Sequence, residues 1–246
     1  MTFLDPFFDA AFGFLLNWPP LLAIAVVSFV ISLLITLIYK WTTNQNEMKR
    51  LKDELAGYQK KMKELKNEPE KMMAVQKQAM ALNMQYMRHS MKSTFITFIP
   101  ILLIFGWMSA NFAYEPLQPN QEFSITAAFQ KEITGNVSII APEGLEIIGD
   151  TTKQINDGIA TFTLKGKEGD YFVTIASNGQ EVDKRVLITT GRKYAPVSEN
   201  YKSDVFKTVT LGNAPLKVFW KLSWIWVYII LAIVFSTLLR KVMKIY

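Results

Sequence analysis

Apolar residues along this chain gather into three uncharged runs, at residues 21–39, 93–114 and 222–239. Each has about the 18–22 residues that an α-helix needs to cross a hydrocarbon core of roughly 30 Å. A buried helix of a soluble protein is the competing explanation. All three runs end in charged or aromatic residues, however, and that favours membrane spans. Trp18, Trp41, Trp107, Trp220, Trp224 and Trp226, all the tryptophans of the chain, lie in or beside these runs. Such an amphipathic ring keeps one edge wet at a membrane surface. The pattern predicts transmembrane helices at residues 19–40, 93–114 and 220–240.

Between the first two runs the period changes. Met48, Leu51, Leu55, Tyr58, Met62 and Leu65 recur at alternating spacings of three and four, with Lys, Arg, Glu, Asp and Gln between them. This heptad seam predicts an amphipathic helix. Asn67-Glu68-Pro69-Glu70 interrupts it, with proline suited to a first turn and Asn67 to an N-cap. In the next helix Met73, Met80, Met84, Met87 and Met91 form one stripe. Two helices joined by a short turn predict an antiparallel coiled-coil hairpin over residues 41–92. Eight of the 11 methionines fall within residues 48–91. Methionine adapts to many apolar shapes, as on promiscuous binding surfaces. The stripe as a whole is read first as the seam between the two helices. For Met84, Met87 and Met91, nearest the membrane entry, contact with a hydrophobic substrate is the equal alternative.

Residues 120–210 change character: Val, Ile, Thr and Phe alternate with polar residues, broken by Gly, Asn, Asp and Pro. Segments 123–129, 137–140, 145–148 and 159–164 read as strands, and Asn178-Gly179 as the turn of a hairpin over 170–189. About seven strands suggest an immunoglobulin-like β-sandwich within residues 115–219. Asp150, Asp157 and Asp170 stand near turns, where they serve turn geometry. The fold class predicted is therefore an α+β membrane protein.

The chain has no cysteine, which excludes a disulfide framework or thiol site. Its only histidine, His89, excludes a site needing two imidazoles. No catalytic, metal or cofactor constellation emerges, and the expectation is a protein that is not an enzyme and takes no small-molecule substrate. The net charge of +6 is unevenly spread. Residues 40–92 carry 12 Lys/Arg against 6 Asp/Glu, and Arg240, Lys241 and Lys244 follow the last run. Short basic segments stay in the cytoplasm. With three spans, the N-terminus and the β-domain then lie outside, and residues 241–246 form a cytoplasmic basic tail. Residues 1–18 lack Lys and Arg, so they are read as mature chain; their aromatic and Leu content suggests a short helix in the outer interface, with a frayed hydrophobic leader as the near-equal alternative.

Hydroxyls punctuate the spans. Ser28, Ser32 and Thr36 follow at i+4 spacing, within an arc of about 80° at 100° per residue. Thr94 and Thr97 enter the second span, and Ser236 and Thr237 end the third. Together they suggest a cavity in the cytoplasmic half of the membrane. Each alone is read first as a small packing residue or one bonded to its own i−4 carbonyl, and only their convergence favours the cavity.

The N-terminus outside, a first span, a basic hairpin, a second span expected to be kinked by Pro100 and a last span closing on Arg240-Lys-Val-Met-Lys-Ile-Tyr resemble the Oxa/YidC/Alb membrane-protein insertase superfamily. The likeness covers residues 1–114 and 215–246, and is strongest to small archaeal members and their endoplasmic-reticulum relatives, including the insertase-like subunit of the ER membrane protein complex. The resemblance implies insertion of hydrophobic segments through a hydrophilic groove, lined here by Ser28, Ser32, Thr36, Thr94, Thr97 and Ser236. It implies nascent membrane proteins as partners, and a hairpin arm that meets substrate or the ribosome. Lys60, Lys61 and Lys63 at the arm's tip are the residues for ribosome or anionic lipid. The chain departs from bacterial members, which place an arginine within the first core span; the nearest cations here are Lys40 and Arg240. The expected place is the plasma membrane. The rival function is a membrane-anchored scaffold that self-associates through its coiled coil; a channel is disfavoured because the spans lack ionisable residues.

Overall fold

The computed structural model describes residues 5–245, the side chains of Asp5 and Pro6 apart. Those parts of the interfacial-helix and basic-tail expectations that fall on residues 1–4 and 246 lie outside the described residues. The fold is α+β and divides into two compact units. One comprises residues 19–106 and 225–246, the other 5–18 and 107–224.

The first unit is helical. Helix α2 spans Pro20–Thr42, α3 Gln45–Glu64, α4 Pro69–Phe112 and α5 Trp224–Val242. Helices α2, α4 and α5 are long and apolar enough to cross a membrane. Helix α2, at 23 residues, is roughly 34 Å long, a full hydrocarbon core. No break separates the second arm helix from the second span: α4 is a single helix of 44 residues, roughly 66 Å, so about half of it projects beyond a bilayer. It carries through Pro100. Pro69 opens it, as proline suits a first helical position. The cap position is therefore Glu68 and not Asn67, and Met72 N–H donates to the Glu68 carbonyl at 3.0 Å. Helix α3 is capped by Asn44, whose Oδ1 accepts from the Asn46 and Glu47 N–H groups.

The contacts across the first unit fix the direction of each helix. Phe29 of α2 meets Phe235 of α5 edge-on at 5.5 Å between centroids, and Phe105 of α4 meets Tyr228 at 4.6 Å. The Tyr39 hydroxyl lies 3.5 Å from that of Ser90. Arg240 stands over the Tyr39 ring at 5.0 Å. Helices α2 and α5 therefore run together and α4 runs against both. In the arm, Gln85 Nε2 reaches Glu47 Oε1 at 3.5 Å, so α3 and α4 fold back on each other about the turn at 65–68.

In the second unit, α1 (Asp5–Phe12) continues into a 3₁₀ turn at Gly13–Asn17. Phe8 and Leu15 are buried, while Phe7, Phe14 and Trp18 are exposed. Phe12 packs on Trp107, whose Nε1–H donates to Asp9 Oδ1 at 2.9 Å. Arg192 donates to the Trp18 carbonyl at 2.6 Å and stacks on Phe112. Tyr194 donates to the Ser109 carbonyl and accepts from Ala113 N–H. Burial pushes its phenol up to about 12.

The β-domain holds two antiparallel sheets. Strands β1 (Phe123–Phe129), β3 (Leu145–Ile148), β5 (Ile159–Gly166), β8 (Ser198–Asn200) and β9 (Phe206–Leu211) form one, in the order β3-β5-β1-β9-β8. Strands β2 (Asn136–Ile140), β4 (Thr152–Gln154), β6 (Gly169–Ser177) and β7 (Gln180–Ile188) form the other, in the order β4-β2-β6-β7. Nine strands thus replace the seven expected, because β4 and β8, at three residues each, are too short to alternate visibly. The inward residues of both sheets, among them Ile125, Phe162 and Val209 with Ile139, Val173 and Val186, share one apolar core. Asn178 and Gly179 form the β6–β7 turn, both with positive φ. Lys184 of β7 is 0% exposed, and its Nζ donates to Glu199 Oε2 at 2.9 Å and to the Pro196 carbonyl at 2.5 Å. That buried cation is paired, as burial requires. A further hairpin, β10 (Lys217–Phe219) and β11 (Leu222–Ser223), precedes α5, so the last span starts at Trp224 and not within 220–223.

Candidate functional site

The arm is built from two faces of α4. Met48 and Leu51 of α3 are fully buried and Leu55, Tyr58, Met62 and Leu65 half-buried, which makes the heptad positions the covered face of that helix. On α4 the covered positions are Met72, Val75, Ala79, Leu82 and Tyr86, at spacings of three and four. The methionine stripe is therefore not the seam. Met73 and Met80 are exposed, and Met84, Met87 and Met91 are 64%, 49% and 49% exposed. At 100° per residue these five share an arc of about 80° with Phe95, Phe98 and Leu102, all exposed, farther along the same helix. Lys77 interrupts this arc between Met73 and Met80, and from Met80 to Leu102 one apolar face continues for roughly 33 Å from the arm on to the membrane span. Lys60, Lys61 and Lys63 are exposed in the last turn of α3, with Lys61 lying 5.8 Å from the Tyr58 ring centroid.

The hydroxyls of the spans separate into two groups. Ser28, Ser32 and Thr36 are all buried on one face of α2. Ser28 donates to the Ile24 carbonyl and Thr36 to the Ser32 carbonyl, both at 2.6 Å. Ser32, 1% exposed, has no hydrogen-bond partner for its Oγ. Thr97 is buried on α4 and donates to the Ser93 carbonyl at 3.1 Å. The antiparallel register set by Tyr39 and Ser90 places Thr36 level with Ser93, and Ser32 level with Thr97. Small hydroxyl side chains suit helix packing, and Ser28, Thr36 and Thr97 satisfy themselves on the preceding turn whereas Ser32 does not. Thr94 is exposed and bonded to the Ser90 carbonyl. Ser236 is half-buried on an open face of α5 that also holds Tyr228, Ala232 and Arg240. Four of the six expected groove residues, Ser28, Ser32, Thr36 and Thr97, are thus buried, whereas Thr94 is exposed and Ser236 half-buried.

Sequence reasoning passed over Ser90 and Ser93, although Ser90, Ser93 and Thr97 repeat at three and four along α4. It also passed over the base of the arm. There Tyr39, Met48 and Ile245 form a buried cluster with Tyr86 and Met243 against them. The tail turns back into this cluster through Ile245 N–H, which donates to the Arg240 carbonyl at 2.9 Å. Arg50, bonded to Glu47 at 3.1 Å and Glu54 at 2.7 Å, stiffens the first turns of α3 beside it.

A family model described as integral membrane protein EMC3/TMCO1-like matches residues 3–137, more than half of the chain. The chain belongs to this family. The EMC3/TMCO1-like proteins are part of the Oxa1/YidC/Alb3 insertase superfamily, so an integral membrane protein with an insertase-type role is the consistent reading. The matched stretch holds the first span, the arm, all of α4 and β1, and ends in β2; residues 215–246 lie beyond it. Comparisons with curated proteins and with solved structures return no match.

Proposed function

We propose that this protein guides hydrophobic segments of nascent membrane proteins into the bilayer, as a small archaeal-type insertase of the plasma membrane. The observation that carries the reading is the exposed face of α4, on which Met73, Met80, Met84, Met87 and Met91 lead without a break in the helix to Phe95, Phe98 and Leu102. A hydrophobic segment collected on the flexible methionines has a continuous apolar track to follow towards lipid. Its own burial supplies the driving force, about 25 cal/mol per Å² of apolar surface, so the work needs no cofactor or catalytic group. The polar flank of the substrate meets the costlier step, since an unpaired polar group in hydrocarbon costs several kcal/mol. The buried hydroxyls of Ser28, Ser32, Thr36 and Thr97, with the Ser32 Oγ unpartnered, support a groove that eases this passage.

In this reading the arm is cytoplasmic, its coiled-coil seam is internal, and Lys60, Lys61 and Lys63 meet the ribosome or anionic lipid. The β-domain, immunoglobulin-like in its two-layer antiparallel build, lies outside. The scaffold alternative draws less support, because the α3 seam is covered within the chain and is not left for a second copy.

The test is photocrosslinking to a ribosome-bound nascent chain that bears one hydrophobic segment. Probes at Met87 and at Phe98 should form adducts in succession as the nascent chain lengthens. Adducts at neither site, with the same nascent chain still inserted, would overturn the proposal.

A further inference from the structure

Strands β10 and β11 make a short hairpin whose tip is Phe219-Trp220-Lys221-Leu222. Trp220 is 84% exposed, Phe219 is exposed beside it, and Lys217 and Lys221 flank the pair, both exposed. Trp220 also has φ +52°, in the left-handed region. A bulky residue is rare there, and at a hairpin tip Gly, Asn or Asp ordinarily supplies that conformation. Two apolar rings held out in water at a strained turn are costly on both counts. The sequence places them where neither solvent nor backbone favours them.

The hairpin is tied to two apolar helices. At its base Leu216 N–H donates to the Ala113 carbonyl at 3.0 Å and Glu115 N–H to that of Ala214 at 2.8 Å, while Tyr114 and Pro215 form a bridge. Ala113 directly follows the last residue of α4. On the other side Trp220 stands four residues before Trp224, where α5 begins, a reach of at most about 14 Å. Both helices are long and apolar enough to cross a bilayer. The tip is thereby tied by short stretches of chain to the ends of both helices.

We propose that the β10–β11 hairpin is a lipid-binding finger that seats Phe219 and Trp220 among the headgroups and upper acyl chains of the leaflet next to the β-domain. An indole has its best environment there, with an apolar body and a wet N–H. Lys217 and Lys221 run their aliphatic stems along the apolar layer and present ammonium groups to anionic lipid phosphates. This holds independently of insertase activity, because it concerns only where the hairpin rests.

The chain has no cysteine, so a single introduced one carries a probe without background. Trp220→Cys and Lys221→Cys are labelled with an environment-sensitive fluorophore in the full chain, reconstituted into phosphatidylcholine vesicles with and without phosphatidylglycerol. Asn178→Cys, at the β6–β7 turn, is the control. The expected result is blue-shifted emission at 220 and 221, quenched by lipids spin-labelled at a shallow acyl position, with neither effect at 178. Lys217→Gln with Lys221→Gln, read from the probe at 220, should abolish the extra quenching that phosphatidylglycerol brings. Trp220→Gly relieves the left-handed turn, so it should keep or raise the thermal midpoint while the probe at 221 loses its quenching. Water-like emission at both 220 and 221, or quenching at 221 unchanged by Trp220→Gly, would overturn the proposal.

Discussion

A hydroxyl buried without a partner, as at Ser32, gives up its hydrogen bonds to water and gains none in return, a loss of about 1–3 kcal/mol. Its neighbours Ser28 and Thr36 avoid that loss by bonding to carbonyls one turn back. Ser32→Ala should therefore leave the thermal midpoint in detergent unchanged or higher. Insertion of a segment with a polar flank should fall at the same time, if the groove proposal is right, while that of a wholly apolar segment should hold. A midpoint that falls with both insertions unchanged would make Ser32 a packing residue only. Repetition at i+4 placed Ser28, Ser32 and Thr36 on one face of α2, and all three are buried. Thr94 is exposed and Ser236 half-buried, because periodicity gives the face of a helix and not which neighbour covers it.

At the scale of elements, the arm shows why one stripe was legible and another was not. Heptad positions of α3 alternate with charged residues, so only one face is apolar and the seam is unambiguous. Helix α4 carries two adjacent apolar stripes, one rich in methionine and one of mixed residues ending in Tyr86. Counting apolar residues favours the methionines, whereas packing favours the mixed stripe. The β10–β11 hairpin was hidden for a related reason, since Leu222 and Ser223 extend an apolar run that reads as the start of a span. The exposed stripe makes a sharp expectation. Exposed substitutions change stability by at most about 0.5 kcal/mol, so Met84→Ser, Met87→Ser and Met91→Ser together should leave the arm folded by circular dichroism. Each methionine contributes roughly 1.5–3 kcal/mol when a partner covers it, and crosslinking to a nascent hydrophobic segment should fall steeply. Neutralising Lys60, Lys61 and Lys63 should instead weaken ribosome association and its salt dependence, leaving substrate adducts largely intact. Loss of the arm's helicity in the methionine variant would return the stripe to a structural role.

Over the whole molecule, charge and hydrophobicity are sorted by segment. Residues 40–92 carry 12 bases against 6 acids and the tail adds Arg240, Lys241 and Lys244, whereas residues 115–221, mostly β-domain, are near balance at 12 bases and 13 acids. Arg240, Ile245 and Met243 gather with Tyr39, Tyr86 and Met48, so the two basic segments come together at the base of the arm. A single side of the membrane must then hold both, and in the proposed topology that side is the cytoplasm, where short Lys/Arg-rich segments are retained. Asn178, at the tip of the β6–β7 turn, belongs to the segment between the second and third spans and so should face the opposite side. Single cysteines at Lys61 and Asn178, probed with a membrane-impermeant maleimide, test this directly. In intact cells Asn178→Cys should label and Lys61→Cys should not; inverted vesicles should reverse the pattern. Labelling of both sites from one side would break the three-span topology. The opposite assignment, with Lys61→Cys reactive in intact cells, would keep three spans but put the methionine face away from the ribosome. It would remove nascent chains as its cargo.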